Sequence, residues 1–307
     1  MSDKTLIVLN PHAGGGRAGR LWTEIEPLLW EELGELVVAV TQTPEDVAIH
    51  LDKARDAGLT RVVSIGGDGT NHTLVNAIQR LADTNPDAPR MTFAHLPIGS
   101  GQDFARAAKI PYNPRDAVKW IAHGTPQSID LGHVQYNGDE SRHFLNIASV
   151  GVSGEADRRM MNPRRKRLPG AFKLTAMESF LFYKPRHTKI WLDGELWYDD
   201  KSWIVVVANG VYFGHGMAIA PHAQINDGLF EVLVVENVPR WRVIKAFNSV
   251  YSGKHLLRDD VRHTRAHSVT VESRDGKLDI DLDGEYAKGE HLQFTLKAGA
   301  LQMLVGN

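Results

Sequence analysis

The fold is decided at residues 62–71, which read Val62-Val63-Ser64-Ile65-Gly66-Gly67-Asp68-Gly69-Thr70-Asn71. A short apolar run followed by a glycine-rich turn is typical of a buried strand that leads into a helix. The next apolar residues have the three- and four-residue spacings of one helix face: Leu74, Val75, Ile78 and Leu81. The stretch therefore predicts a strand–turn–helix unit of a sheet that is covered on both faces.

Three more apolar runs lie in the first 130 residues, at positions 6–9, 37–40 and 93–98. Periodic stretches that predict helices separate these runs, and Pro44 followed by Glu45 and Asp46 marks the start of one helix. Buried strands that alternate with helices predict an α/β N-terminal domain with a mainly parallel sheet.

The second half of the chain has a different pattern. Asp193-Gly194 separates two strand-like runs, which is the strongest short signal for a two-residue β-hairpin. Further runs follow at residues 203–208, 229–235, 269–271, 278–282 and 292–296, and helices are predicted only near 171–183 and 241–256. We therefore predict residues 1–130 as the α/β domain and residues 131–307 as a mainly antiparallel β domain.

The composition excludes several classes of protein. The 307 residues carry a net charge of -2, which gives no general attraction to nucleic acid. The chain has no cysteine, so disulfides and thiolate chemistry are excluded, and a reducing cytoplasm fits. No apolar run is long enough to span a membrane, and we expect no signal peptide because a strand-like run starts directly after residues 1–5.

Two more glycine-rich turns follow predicted strands, at residues 10–19 and 97–104. Strands of a parallel sheet end at the same edge, and glycine turns there let backbone N–H groups converge on one anion. A single such turn most often only begins a helix. Three turns on one edge, two of them with an aspartate (Asp68 and Asp103), predict a polyphosphate site with a divalent cation.

Two familiar nucleotide motifs are excluded. Gly14, Gly16 and Gly19 spell the dinucleotide pattern GxGxxG, but Thr41 stands where that pattern requires an acid at the end of the second strand. The chain also has no GxxxxGK[ST] sequence, so it is not a Walker-type NTPase.

A run of acids marks the predicted strand at residues 277–286. Asp279, Asp281, Asp283 and Glu285 alternate with apolar residues, so we expect them on one face of the strand. Such a face is either solvated, or it borders a cleft where a carboxylate orients an attacking hydroxyl and accepts its proton.

These motifs, taken in order, resemble the diacylglycerol kinase catalytic-domain superfamily, which includes sphingosine kinases and bacterial soluble lipid kinases. The resemblance starts at the three glycine turns and continues through residues 129–132, 144–151, 226–230 and 281–285. Gln102 departs from the asparagine usual in the family. The resemblance implies an ATP-dependent kinase that transfers the γ-phosphoryl group to a hydroxyl of a membrane lipid.

The resemblance also implies the nucleotide and metal sites. The implied ATP contacts are Asn10, Thr41, Gly66, Gly67, Asp68, Gly69, Thr70, Asn71, Ser100 and Asp103. Asp68, Asp103 and Asp130 are implied as Mg²⁺ anchors, directly or through water. A second, structural cation is implied at Asp227 and the backbone carbonyls of Gln224 and Leu229, although Asp227 is equally consistent with a plain Asp-Gly turn.

The catalytic base is expected in the Asp283-Gly284-Glu285 motif. We prefer Glu285 as the base and keep Asp283 as its rival. A soluble-substrate kinase of the NAD kinase or phosphofructokinase type and a non-catalytic lipid- or nucleotide-binding protein are the alternatives. The sequence leaves the identity of the lipid and homodimer formation open.

A basic stretch suggests how such a protein reaches a lipid. Its cations precede the apolar residues 171–183 and are Arg158, Arg159, Arg164, Arg165, Lys166 and Arg167. A charge run is often a solvated loop, but beside an apolar helix it also fits peripheral contact with an anionic membrane. We expect Phe172, Phe180, Leu181 and Phe182 to insert shallowly there.

Overall fold

The computed structural model describes residues 4–162 and 171–306, with only the backbone given for 171–173. The chain divides into two compact units. The first consists of Met1–Asp130 together with Ala298–Asn307, and the second of Leu131–Lys297.

The first unit alternates strands and helices. Its strands are β1 (Thr5–Leu9), β2 (Leu36–Val40), β3 (Arg61–Gly66) and β4 (Thr92–Pro97). Its helices are α1 (Ala13–Leu33), α2 (Pro44–Asp56), α3 (Asp68–Thr84), α4 (Asp103–Ala107) and α5 (Pro114–Ala122). The strands pair in parallel in the order β2-β1-β3-β4, and their side chains form a buried core with α1 and α5.

Helix α2 shows how the local sequence sets an element boundary. The Thr43 hydroxyl accepts the Asp46 N–H, and the Asp46 carboxylate accepts the Thr43 N–H in return. This capping box, with Pro44 in the first turn, satisfies N–H groups that an open helix end leaves without partners. The structure thus starts α2 at Pro44, as the sequence predicts.

The second unit is built mainly from antiparallel strands. They are the end of β5 (Thr125–Tyr136), β6 (Glu140–Phe144), β7 (Ile147–Gly151), β8 (Arg186–Leu192), β9 (Glu195–Ala208), β10 (Phe230–Glu236), β11 (Val261–Ala266), β12 (Ser268–Ser273), β13 (Leu278–Leu282), β14 (Glu285–Gly289) and the start of β15 (His291–Val305). Its α-helices are α6 (Val152–Met160), α7 (Ala171–Phe182) and α8 (Arg240–Ala246), and 3₁₀ helices follow at Phe247–Ser252 and Lys254–Leu257.

Strand pairing in this unit follows the order β14-β13-β7-β9-β8-β12-β15. The predicted hairpin is present, with Asp193 and Gly194 both at positive φ between β8 and β9. Alternate residues of β13, Leu278, Ile280 and Leu282, are buried in the main core of the unit. The predicted fold class, an α/β domain followed by a mainly antiparallel β domain, is confirmed.

The structure corrects two predicted boundaries. The last ten residues belong to the first unit, because the end of β15 pairs in parallel with β4 at Gln302 and Met303. The helix predicted over residues 241–256 is interrupted after Ala246. The Ser249 hydroxyl donates to the Ala246 carbonyl and Gly253 is left-handed, so local bonds and backbone shape replace regular helix there.

No helix in the described ranges, 4–162 and 171–306, is long and apolar enough to cross a bilayer.

Candidate active site

The three glycine turns of the first unit meet at the carboxyl ends of β1, β3 and β4. A Cβ on Gly14 would lie 2.3 Å from the Ile98 carbonyl oxygen, and a Cβ on Gly99 would lie 2.4 Å from Gly67 Cα. The Asn10 side-chain amide donates to the Thr70 hydroxyl over 3.1 Å. Only glycine allows this close approach, so the turns form one continuous backbone surface.

The start of α3 supplies the donors of this surface. Its N-cap is Gly67, which offers no side chain to cap the helix. The first intrahelical bond runs from the Asn71 N–H to the Gly67 carbonyl. The backbone N–H groups of the first helical turn point along the helix axis toward the glycine turns. These N–H groups and the positive end of a 17-residue helix dipole together favour a bound phosphate.

Asp68 joins the second turn to the third. Its carboxylate accepts the Asp103 and Phe104 N–H groups at the start of α4, both over 3.3 Å. A Cβ on Gly101 would lie 3.0 Å from Asp68 Oδ2 and 3.7 Å from Asp103 Oδ2, so the two carboxylates flank this glycine. Two neighbouring carboxylates beside a phosphate surface match the donor set that Mg²⁺ takes with a nucleotide.

Gln102 has a structural function in the third turn. It adopts a left-handed backbone with φ 56°, and its side-chain amide donates to the Pro97 carbonyl over 3.1 Å. The left-handed region favours asparagine among non-glycine residues, which gives a physical reason for the family's usual residue. The longer glutamine still ties the turn to the end of β4.

The other predicted contacts of the first unit differ in exposure. Ser100 is exposed, whereas Thr41 is buried and its hydroxyl donates to the Leu9 carbonyl over 3.3 Å. Asn71 is buried in α3, and neither side-chain polar atom has a hydrogen bond among the described residues. Asp130 is buried and accepts the Gly299 N–H over 2.8 Å, which fixes the returning end of the chain.

Asp68, Asp103 and Asp130 are not placed as a ready-made metal cage. In the part of the chain that the structure describes, no three His, Asp or Glu side chains are grouped to hold a metal ion. Mg²⁺ is commonly held by one or two carboxylates plus substrate phosphates and water, so the Asp68–Asp103 pair is sufficient for a nucleotide-borne ion.

The acidic motif of the second unit differs from its prediction. Asp283 and Gly284 have φ of 54° and 88° and form a two-residue turn, because Leu282 pairs directly with Glu285. The predicted single strand over 277–286 is therefore wrong, and the four acids do not share one face. Asp279 and Asp281 lie on β13, whereas Glu285 is the first residue of β14 and is exposed.

Asp283 anchors this turn. One carboxylate oxygen accepts the Leu145 N–H over 2.7 Å, and the other accepts the N–H groups of Asn146 and Ile147 over 2.9 and 3.0 Å. A carboxylate that accepts three backbone bonds holds the loop before β7 in place. Glu285 is therefore the acid of the motif whose side chain is turned to solvent.

A buried carboxyl pair behind the motif was missed in the sequence analysis. Asp281 is hydrogen-bonded to Asp157 of α6, and it also accepts the Gly284 N–H over 2.7 Å. Burial raises the pKa of Asp281 to about 6. Ser153 lies one turn before Asp157 on the same face of α6, and its hydroxyl is 2.7 Å from that of Ser149. The four-residue spacing of Ser153 and Asp157, which puts both polar side chains on one face of α6, is the sequence signal that could have indicated this polar cluster.

The implied second cation site contains an Asp-Gly turn. Asp227 accepts the Leu229 N–H over 3.1 Å and forms an ion pair with Arg265. Arg265 also lies 3.4 Å from the buried carboxylate of Glu231, while Gln224 is exposed in the preceding loop. Arg265 neutralises the Asp227 carboxylate in this turn, and the second cation site stays a prediction.

Comparisons with known proteins agree with this architecture. Residues 4–134 match the diacylglycerol kinase catalytic domain, and residues 146–305 match the YegS C-terminal NAD kinase beta sandwich-like domain. The chain is 30% identical over 268 residues to a "Probable lipid kinase YegS-like" of Chromohalobacter salexigens, with 87% of this chain and 82% of that protein covered. A protein of the same description from Pseudomonas putida is 32% identical over 269 residues, with 87% and 84% covered.

The fold of a solved structure is also similar. A diacylglycerol kinase from Bacillus anthracis superposes with a TM-score of 0.74 at 25% identity, covering 99% of this chain and 97% of that chain. The chain belongs to the diacylglycerol kinase catalytic-domain family, in its YegS-like branch of lipid kinases. The resemblance given by the motifs is thereby confirmed, and with it the prediction that the protein is a kinase.

Proposed function

We propose that the protein is an ATP- and Mg²⁺-dependent kinase that phosphorylates a hydroxyl of a membrane lipid of the diacylglycerol type. The observation that supports this most is the meeting of three glycine turns at the N-terminus of α3, beside the carboxylates of Asp68 and Asp103. The names of the relatives agree with a lipid acceptor.

In the proposed reaction, the N–H groups at the start of α3 bind and orient the phosphates of ATP, and Asn10 and Ser100 contribute further nucleotide contacts. Asp68 and Asp103 would hold Mg²⁺, with Asp130 acting through water, and the ion would neutralise charge on the phosphates. The lipid hydroxyl attacks the γ-phosphorus, a new O–P bond forms, and the bond to the β-phosphate oxygen breaks to release ADP. Phosphoryl transfer needs mainly this positioning and charge compensation.

We propose Glu285 as the base that accepts the proton of the lipid hydroxyl. Its exposure supports this assignment, since the carboxylate is open to an incoming substrate. Asp283 is the weaker candidate because three backbone N–H groups already occupy its oxygens. Asp283 would instead position Glu285 by fixing the turn between β13 and β14.

Such an enzyme uses cytoplasmic ATP and works at the membrane surface. Among the predicted membrane-contact residues, Arg158 and Arg159 are paired with Glu155, and Arg159 also with Glu178. Arg164, Arg165, Lys166 and Arg167 lie outside the described residues, as does the Phe172 side chain. Leu181 and Phe182 are exposed, whereas the Phe180 ring packs against Phe247.

The proposed function is tested by incubating the protein with γ-labelled ATP, Mg²⁺ and dispersed lipid extract, and by identifying labelled lipids by mass spectrometry. We expect labelled lipid in the wild type and none when Mg²⁺ is chelated. Labelling of a soluble acceptor such as NAD in place of lipid would favour the soluble-substrate alternative. Folded protein that labels no acceptor would favour a non-catalytic binding protein.

A further inference from the structure

Helix α7 buries small and polar side chains and exposes several large apolar ones, unlike an ordinary surface helix. Its buried face is small and polar, with Thr175, Ala176 and Ser179, and the Ser179 hydroxyl donates to the Thr175 carbonyl over 2.8 Å. Phe180 packs inward against Phe247, but four other large apolar side chains are exposed: Leu174 is 61%, Met177 50%, Leu181 50% and Phe182 65% accessible. Residues 174, 177 and 181 recur at helical spacing on one face, so α7 presents an apolar stripe to solvent.

The neighbouring segment also exposes large apolar side chains. Arg240 at the start of α8 donates to the Phe180 and Tyr183 carbonyls over 3.0 and 3.1 Å, which joins α8 to the end of α7. On α8 and the 3₁₀ helix Lys254–Leu257, Trp241 is 64% and Leu257 87% exposed. Several large apolar side chains exposed on packed neighbouring helices are typical of an interaction site.

A basic pocket of about 380 Å³ opens within this segment. It is lined by Trp241, Arg242, Lys245, Ala246, Ser249, Lys254 and Arg258. Arg242 pairs with Asp259 over 2.5 Å, and Arg258 pairs with Asp260 over 2.6 Å, so both arginines are neutralised. Lys245 and Lys254 are exposed and form no ion pair among the described residues. The two lysines therefore carry the uncompensated charge of the pocket.

We propose that α7, α8 and the two 3₁₀ helices form a docking surface for an anionic phospholipid bilayer, in which Lys245 and Lys254 hold a lipid phosphate. Exposed apolar side chains on α7, the uncompensated lysines and the exposed Trp241 that lines the same pocket match the acyl, phosphate and interfacial layers of a bilayer. Free phosphate would leave the apolar stripe of α7 without a partner, and so would nucleic acid. The inference rests on the proposed function only in that the bilayer carries the substrate.

The experiment measures binding to vesicles of phosphatidylcholine with and without phosphatidylglycerol, by co-sedimentation at low and high salt. The variant carries Lys245→Gln and Lys254→Gln. The matched control carries Lys53→Gln and Lys119→Gln, which removes the same charge from exposed positions on α2 and α5. Each lysine near an anionic surface contributes about fivefold in affinity, so the pocket variant should bind roughly thirtyfold more weakly.

The control variant should stay within about twofold of the wild type, since affinity for an anionic surface falls off within a Debye length. Trp241→Ser should reduce the binding that survives high salt. If the pocket variant and the control variant lose vesicle affinity equally, the pocket is rejected as the docking site and the net charge of the protein explains the binding. Inorganic phosphate and added anionic lipid are each tested as competitors of vesicle binding. If the two displace the protein from vesicles equally well, the pocket is a site for a free anion and not for a lipid.

This binding assay needs no catalytic turnover, so it separates the two proposals. Vesicle binding that depends on Lys245 and Lys254, without any lipid phosphorylation, would retain the docking surface and reject the kinase reaction. Lipid phosphorylation without lysine-dependent binding would retain the reaction and reject the surface. Equal thermal unfolding temperatures of the variants and the wild type establish that the substitutions leave the fold intact.

Discussion

The Asp283-Gly284-Glu285 motif contains an acid that anchors the turn and the acid that we propose as the base, and two isosteric substitutions distinguish their functions. We predict that Asp283→Asn mainly destabilises the protein and that Glu285→Gln mainly abolishes transfer. Asparagine tolerates the left-handed φ of 54° as aspartate does, so Asp283→Asn changes the carboxylate and not the backbone preference.

The size of the Asp283→Asn effect follows from its contacts. The carboxylate accepts three N–H groups, two on one oxygen and that of Leu145 on the other. An amide keeps one acceptor oxygen and places an NH₂ group where the second oxygen was. A hydrogen bond to a charged group contributes about 1.5–3 kcal/mol, and two facing donors add a further penalty, so we expect a loss of about 2–4 kcal/mol. For a domain of this size that corresponds to a melting temperature lower by roughly 5–15 °C.

Glu285→Gln should behave in the opposite way. Glu285 is exposed, so the free energy of unfolding should change by no more than about 0.5 kcal/mol. Differential scanning calorimetry measures the stability of each variant, and labelled-ATP transfer to dispersed lipid measures activity, with ATP affinity determined separately. An unchanged melting temperature for Asp283→Asn would refute the anchoring function. Wild-type transfer by Glu285→Gln would refute the assignment of the base.

Three further predictions concern the phosphate surface and the buried acids. Asp68→Asn and Asp68→Ala should both lower kcat by about 10²–10³-fold. The amide oxygen of asparagine can accept only one of the two N–H groups of α4 and alanine accepts neither, so both variants should also lose about 1 kcal/mol of stability. Equal kcat in all three proteins would show that the second glycine turn only starts a helix. Gly14→Ala and Gly15→Ala both place a side chain at positive φ, which should lower the free energy of unfolding by about 1–2 kcal/mol each. Only the Gly14→Ala side chain meets the Ile98 carbonyl oxygen, so that variant should lose about 1–3 kcal/mol more. It alone should also raise the KM for ATP in steady-state assays. Burial raises the pKa of Asp281 from 3.8 to about 6, so the folded state retains a proton that the unfolded chain releases, and the stability present below pH 3.8 is lost as pH rises through about 6. Asp281→Asn should remove this loss of stability between pH 3.8 and about 6, measured as the free energy of unfolding in urea at each pH. If the variant keeps the pH dependence of the wild type, Asp281 is not the group that causes it.

The sequence predicted the fold wherever local signals and tertiary environment agree. The parallel strands of the first unit are continuous apolar runs, and the turns between them carry glycines at the close contacts that the structure contains. Asp193-Gly194 was predicted as a hairpin because strand-like runs flank it on both sides. The same dipeptide at 283–284 also forms a two-residue hairpin, but the acids around it continued the alternation and hid the turn.

The candidate site was predictable where backbone geometry forms it. Gly14, Gly67 and Gly99 are required by close approach, so their positions in the sequence pointed to the phosphate surface. The functions of individual acids were harder to predict from the sequence, because they depend on which N–H groups each carboxylate contacts after folding. Asp283 and Asp68 both accept backbone bonds from residues far away in sequence, and the pairing of Asp157 with Asp281 requires α6 to lie against β13. Such long-range contacts leave no pattern in a local stretch of residues.

The return of residues 298–306 to the first unit has a consequence for the order of events during synthesis. Strand β4 has β3 on one side, and the partner on its other side is the end of β15, which leaves the ribosome after the whole second unit. Until then the nascent first unit exposes an unpaired parallel edge, which is a site for wrong pairing with other chains. Leu301, Met303 and Leu304 are also missing from its interior during this time. A fragment that ends at Asp130 would carry the same open edge permanently, so the first unit is complete only after the last residues of the chain have been made.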